Sequence, residues 1–174
     1  AFERLRRGFA KGQLCLFFQP KVDFARQAVL GAEALIRWQQ PILGLLLPEE
    51  FIGIAEDNDM ALSIGQWAIR EALRQMRVWR REGIDLQVAV NVFARQLQSP
   101  DFVQNLRHIL AEFPDIPPGR LKLEITESAA LPDLNTDLLA SSSNASRSAW
   151  TFRWTTSAPA TPRCCTCAIW RRRS

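Results

Sequence analysis

Apolar positions along the chain recur with two different periods, and each period predicts an element. Residues 60–82 carry the clearest helical signal. Ile64, Trp67, Ala68, Ala72, Met76 and Trp79 recur at three- or four-residue spacing, Arg70, Arg74, Arg77 and Arg81 lie off that stripe, and Gly83 stops it. Alternation marks the strands. Over residues 85–93, Val88, Val90 and Val92 share one face while Gln87, Ala89 and Asn91 share the other. Over 120–127, Leu121, Leu123 and Ile125 point one way and Lys122, Glu124 and Thr126 the other. Residues 14–22 read as a buried strand, a short apolar run closed by Pro20. Residues 28–38 read as a second strand, although their Ala and Leu also suit a helix.

Helix starts are written in capping chemistry. Pro48, Glu49 and Glu50 open one at 48–56. Ser99-Pro100-Asp101 opens another, with Ser99 as N-cap and Pro100 in the first helical position. Phe102, Leu106, Ile109, Leu110 and Phe113 give that helix its apolar face, and Pro114 ends it. Residues 1–13 predict a short leading helix or linker with Arg4, Arg6 and Arg7 exposed. The order strand, helix, strand, helix, strand predicts right-handed βαβ units and a mostly parallel sheet, an α/β chain.

Length then limits the architecture. At 174 residues the chain is short of the about 250 that a full (β/α)8 barrel takes. No apolar run approaches the roughly 20 residues of a membrane-spanning helix, so no membrane contact is expected. The first dozen residues are basic and mixed rather than apolar, so the start at Ala1 reads as a domain or fragment boundary and the setting as cytoplasmic. The formal net charge of +4 is unevenly spread. Residues 1–140 hold all 18 acidic and 16 of the 22 basic residues, a net of −2, and the last 34 hold six arginines and no acid. Cys164, Cys165 and Cys167 crowd the same end, whereas Cys15 stands alone and is expected in the core.

Oxygen-bearing side chains fall late in three apolar strands. Glu33 interrupts AVLGAEALI, Asn91 closes QVAVN, and Glu124 with Glu127 closes LKLEITE. A carboxylate in an apolar strand costs several kcal/mol of desolvation unless paired or metal-bound. Three such strand ends side by side would make an all-oxygen site suited to Mg²⁺ or Mn²⁺. Simple pairing is the alternative for each alone: Glu33 with Arg37, Glu124 with Lys122 or an arginine elsewhere, Asn91 as a loop cap.

These residues lie in blocks that resemble the EAL domain family. GAEALIRW at 31–38 is similar to its signature. FFQPKVD (17–23), PEEFIGIAE (48–56), IGQWAIREALRQMRVW (64–79), VAVNVFARQL (88–97) and LKLEITES (121–128) follow its order and spacing. The resemblance covers residues 14–134 and implies a cyclic-di-GMP phosphodiesterase that releases linear pGpG, built on a modified TIM barrel of which this chain holds a part, truncated after about the fourth strand. By the same resemblance, Glu33, Asn91 and Glu124 match metal ligands for Mg²⁺ or Mn²⁺, and Glu127 matches a glutamate holding an active-site loop. Arg37 matches a residue on the substrate phosphate, and Gln19 one lining the substrate pocket. Fused or neighbouring signalling domains and a homodimer are the further partners that it implies. Two departures stand out: Gln40-Pro41 replaces the usual His-Pro, and Val92-Phe93 replaces a small polar pair, which predicts that Phe93 crowds the site.

The family continues into a strand ending DDFGTGYSSL, then a lysine and further glutamates, and residues 141–174 read instead as an unrelated, disordered tail. Reading residues 154–167 one base out of frame permits every residue of DDFGTGYSSL, and Ala149-Trp150-Thr151 permits Gly-Val-Asp. A one-base frame shift between about residues 135 and 148 accounts for the lost acids and the clustered Cys, Trp and Arg. It also displaces the tail's other readings as a metal site or an arm for a nucleic acid polymer. His108 is expected on a helix surface with no catalytic part. Three functions compete: a phosphodiesterase with a damaged translation and no hydrolysis as written, a non-catalytic dinucleotide-binding or interaction module, and a pseudogene product that does not fold.

Overall fold

Residues 1–56, 58–125 and 151–154 are described by a computed structural model. Helix α1 (Phe2–Ala10) leads into an antiparallel hairpin of β1 (Leu14–Asp23) and β2 (Ala28–Gln40). The Asp23 carboxylate closes the turn, accepting the backbone N–H of Ala25 at 2.9 Å and of Arg26 at 3.1 Å. A short β3 (Gly44–Leu46) folds back on the end of β2, with Gly44 at φ 79°. Then come α2 (Ile52–Glu56), α3 (Met60–Arg81), β4 (Gln87–Val92), α4 (Ala94–Gln98), α5 (Phe102–Ala111), β5 (Leu121–Ile125) and β6 (Thr151–Trp154). The sheet runs β1-β2-β4-β5-β6, with β3 attached to β2.

Strands β2, β4 and β5 are parallel neighbours, as the alternation of strands and helices predicts, and β6, which it does not predict, adds in parallel to β5; β1 and β3 are antiparallel to β2. The reason lies in connection length. Four residues join β1 to β2, whereas a parallel pair needs a crossover of about a dozen. Helices α3 and α5 supply such crossovers for β4 and β5. β6 falls in the segment whose composition predicts a disordered tail; the rest of that segment lies outside the described residues.

One sheet face carries the core. Leu14, Phe18, Ala32, Ala34, Ile36, Trp38, Val88, Val90, Val92, Leu121 and Leu123 are all buried there. Ile64, Ala68, Ala72, Met76 and Trp79 of α3 join the same cluster, as does Leu5 of α1. Phe18 meets Trp79 edge-on with ring centroids 4.9 Å apart, and Trp38 meets Phe51 at 5.8 Å. Among the described residues no helix is long and apolar enough to cross a membrane.

Local chemistry shifts two helix starts. Residues 48–56 divide into a 3-10 turn at Pro48–Glu50 and the short α2, with the Glu50 carboxylate accepting the Leu47 N–H at 2.6 Å. Asp101 rather than Ser99 is the N-cap of α5, because a separate short helix, α4, already ends at Ser99, whose carbonyl takes the Phe102 N–H. α5 stops at Ala111, short of Pro114.

Ion pairs tie α3 to the segment after α5. Arg77 Nε donates to Asp115 at 2.9 Å, and the same guanidinium lies 4.5 Å from the Phe113 ring centroid. The hydrogen bond from Arg77 holds the Asp115 carboxyl below its usual range. The pair's contribution is therefore complete above the unfolded-state pKa of about 4 and fades as pH falls through the lower folded-state value. Asp115→Asn is expected to lower the urea midpoint slightly at pH 7 and to leave it unchanged near pH 2, in paired denaturation curves.

Candidate active site

The second sheet face is polar, and strand register decides what meets on it. Across the hairpin, Cys15 faces Arg37, Phe17 faces Leu35, Gln19 faces Glu33 and Lys21 faces Gly31. In the parallel ladder Glu33 is level with Ala89, and Asn91 is level with Glu124. Glu33, Asn91 and Glu124 therefore project from three adjacent strands onto one surface. Asn91 Nδ2 donates to Glu33 Oε1 at 3.2 Å.

Lys21 completes the cluster. Its Nζ lies 2.8 Å from Glu124 Oε1 and 3.5 Å from Glu33 Oε2. A flat sheet would hold the β1 and β5 backbones about 14 Å apart, three strand spacings, a gap the two side chains could close only fully extended and lying flat, whereas strand side chains stand roughly perpendicular to the sheet. The contact thus reports that the sheet curls towards its polar face, as a barrel wall does. Glu124 is 7% exposed, so its charge needs the ammonium beside it. The pairings that the sequence offers as the alternative, Glu33 with Arg37 and Glu124 with Lys122 or an arginine elsewhere, give way to this shared lysine. Sequence reasoning misses Lys21. The register of a tight hairpin is the signal that could have found it, since Lys21 lies two residues beyond Gln19 on the same face.

Arg37 lies on the same face four residues beyond Glu33, about 13 Å farther along β2. Its Nη1 donates to the Ile36 carbonyl at 2.8 Å and its guanidinium sits 5.9 Å from the Phe17 ring centroid. Gln19 is exposed, directly across from Glu33. Cys15 is half-buried on this polar face, with Sγ 3.7 Å from the Arg37 carbonyl, rather than in the core. The reason is parity: Cys15 shares the face of Phe17 and Gln19, while Leu14 and Phe18 point to the core. Phe93 does not crowd the cluster. β4 ends at Val92, the chain turns, and Phe93 is buried in the hydrophobic core, its N–H bound by Gln96 Oε1 at 3.1 Å. His108 is exposed on α5, as expected. Glu127 lies outside the described residues.

The donors suit a hard divalent cation. They are two carboxylates and an amide, and turning the Asn91 amide over would present its oxygen instead of its NH₂. An ammonium already resting on both carboxylates is direct testimony that the position favours positive charge. Three side chains fill only part of a roughly six-fold shell. Among the described residues no group of three His, Cys, Asp or Glu side chains gathers for a metal.

Comparison with known proteins identifies the family. The EAL domain model matches residues 3–147, beyond both ends of the stretch where the motifs are legible. The bifunctional diguanylate cyclase/cyclic di-GMP phosphodiesterase MucR of Pseudomonas aeruginosa is 38% identical over 136 residues, covering 78% of this chain and 20% of that protein. The cyclic di-GMP phosphodiesterase PdeR of Escherichia coli is 39% identical over 129 residues, 73% of this chain and 19% of that protein. The solved MucR phosphodiesterase in complex with c-di-GMP superimposes with a TM-score of 0.72 at 38% identity, covering 79% of this chain and 56% of that structure. The chain thus spans about a fifth of the length of these two relatives and little more than half of the solved domain. With its family model matched over most of its length, and with the polar wall of a partial TIM-like barrel in place, the chain belongs to the EAL domain family.

Proposed function

We propose that this chain carries one wall of a cyclic-di-GMP phosphodiesterase site, and that these 174 residues bind a divalent cation without hydrolysing the dinucleotide. The observation that carries the reading is the meeting of Glu33, Asn91 and Glu124 on adjacent strands of one concave face. Those three residues would hold Mg²⁺ or Mn²⁺. A bound ion of this kind would polarise a phosphodiester and make a bound water more acidic. Arg37, farther along the wall, offers a fork of donors to a phosphate oxygen. Gln19 offers an amide to the ligand beside Glu33. Glu127 is assigned the support of a neighbouring loop. Other signalling domains and a second copy are the natural partners of such a module.

Hydrolysis needs carboxylates on the opposite wall, to hold a second ion or take up a proton, and these residues do not supply them. No acid follows Asp137 and no lysine follows Lys122. We attribute this to a one-base frame shift between about residues 135 and 148. The parallel strand β6 supports that origin. It ends at Trp154, beside Ile125 of β5, and the last base of the Trp154 codon begins the first aspartate codon of the alternative frame.

Calorimetric titration with Mn²⁺ tests the site directly. Glu33→Gln is expected to weaken binding by at least about tenfold, as loss of a ligand does. Equal affinities for the two proteins would sink the assignment. Chromatography of cyclic-di-GMP incubated with the wild-type chain and Mn²⁺ is expected to yield no pGpG; its release would overturn the claim of inactivity.

A further inference from the structure

Lys21 lies within the FFQPKVD block, but sequence reasoning assigns it no role in the site. It stands on β1, which runs antiparallel to β2, and reaches over β2 and β4 to Glu124 on β5. Its side chain is 44% exposed, while the Glu33 and Glu124 side chains are 27% and 9% exposed. The head group is thus a solvent-accessible cation held against two poorly solvated anions.

We propose that Lys21 is a tethered counter-cation that competes with the divalent ion for the Glu33 and Glu124 carboxylates and so sets the affinity of the site. The inference rests on the metal reading given above. Its physical content is simple. Without a metal, two carboxylates on adjacent walls of a curled sheet repel each other, and the ammonium relieves that repulsion. A divalent ion that takes the same oxygens must first displace the ammonium, so breaking its two ion pairs offsets part of the binding energy. The four-carbon stem lets the head group leave for solvent without moving β1.

Removing the ammonium should therefore strengthen metal binding while weakening the metal-free fold. Titration of the full chain with Mn²⁺, alongside thermal melts with and without Mn²⁺, tests both halves. Lys21→Gln is expected to bind Mn²⁺ about tenfold more tightly than wild type, to melt lower without the ion, and to gain more from it. Lys122→Gln removes an equal charge from the same face of β5 and is the control; it should change the affinity much less. Unchanged or weaker binding by Lys21→Gln overturns the proposal, and so does an equal gain in Lys122→Gln, which would reveal only a general field. If Lys21→Gln does not fold, Lys21→Arg carries the test. Its forked guanidinium grips carboxylates more firmly and should weaken Mn²⁺ binding about threefold or more; unchanged or tighter binding again overturns the proposal. Wild type that binds Mn²⁺ in a Glu33-dependent way with no Lys21 effect removes this inference alone. No binding by wild type or by Lys21→Gln removes the metal reading and this inference with it.

Discussion

Gly31→Ala is expected to destabilise the chain by about 3 kcal/mol, at the upper end of what overpacking costs, and to lower its melting temperature by roughly 6–12 °C. Gly31 pairs with Gln87 across the β2–β4 ladder, and an added Cβ would overlap the Gln87 carbonyl oxygen. The obstacle is backbone, so no side chain can rotate away. The two strands would have to part at the base of the ladder that sets Glu33 beside Asn91. Gly53→Ala is the matched control. Gly53 lies in α2 with open space where a Cβ would stand, and alanine there should be neutral or slightly stabilising. Thermal melts of the three proteins decide the matter. Equal melting temperatures would mean that β2 and β4 yield at this point.

Restoring the reading frame is expected to have the larger effect on function. A one-base correction between codons 135 and 148 should extend the open frame through the aspartate pair into the later strands, and turn a chain with no turnover into one that releases pGpG. The change is from background to catalysis, and enzymes commonly stand about 10⁶-fold or more above the uncatalysed rate. Resequencing codons 130–175 and assaying both products by chromatography tests this. An unchanged sequence would remove the frame shift. A corrected chain that folds, binds Mn²⁺ and yields no pGpG would remove hydrolysis from the reading and leave a binding module.

Much of this arrangement is written in the order of residues. Parity alone sorts Val88, Val90 and Val92 to the core and Asn91 to the site, because strand side chains alternate strictly and one buried face cannot slip by a residue. Helix α3 is equally legible, since ten of its residues are buried in a repeating stripe. What periodicity lacks is direction and register. It places Glu33 and Lys21 on strands but does not bring them to one cluster, and it leaves β1 free to be parallel until the four-residue turn is counted. Phe93 misleads for a related reason: its place directly after the site strand suggests that it crowds Asn91, but β4 ends at Val92 and the chain turns it into the core. Cys15 looks like core by residue type and lies on the site face by parity. Contacts that cross several strands, such as Lys21 with Glu124, depend on the curl of the whole sheet and have no local signal.

The antiparallel hairpin also has a history in time. During synthesis β1 and β2 can pair as soon as residue 40 has emerged, on the microsecond scale of hairpin formation. The parallel partner β4 is complete only at Val92, roughly fifty residues and about 3–10 s later at ordinary rates of translation. Through that interval the part of β2 that β3 does not cover, including Gly31–Ala34, offers an unpaired edge to any neighbouring nascent chain. The same carboxylate and guanidinium that the folded wall turns inward, Glu33 and Arg37, are then in open solvent. There they place charges within an apolar strand, a recognised deterrent to edge-to-edge aggregation. Residues that read as active-site chemistry in the finished sheet thus serve, for a few seconds of every synthesis, as guards of its growing edge.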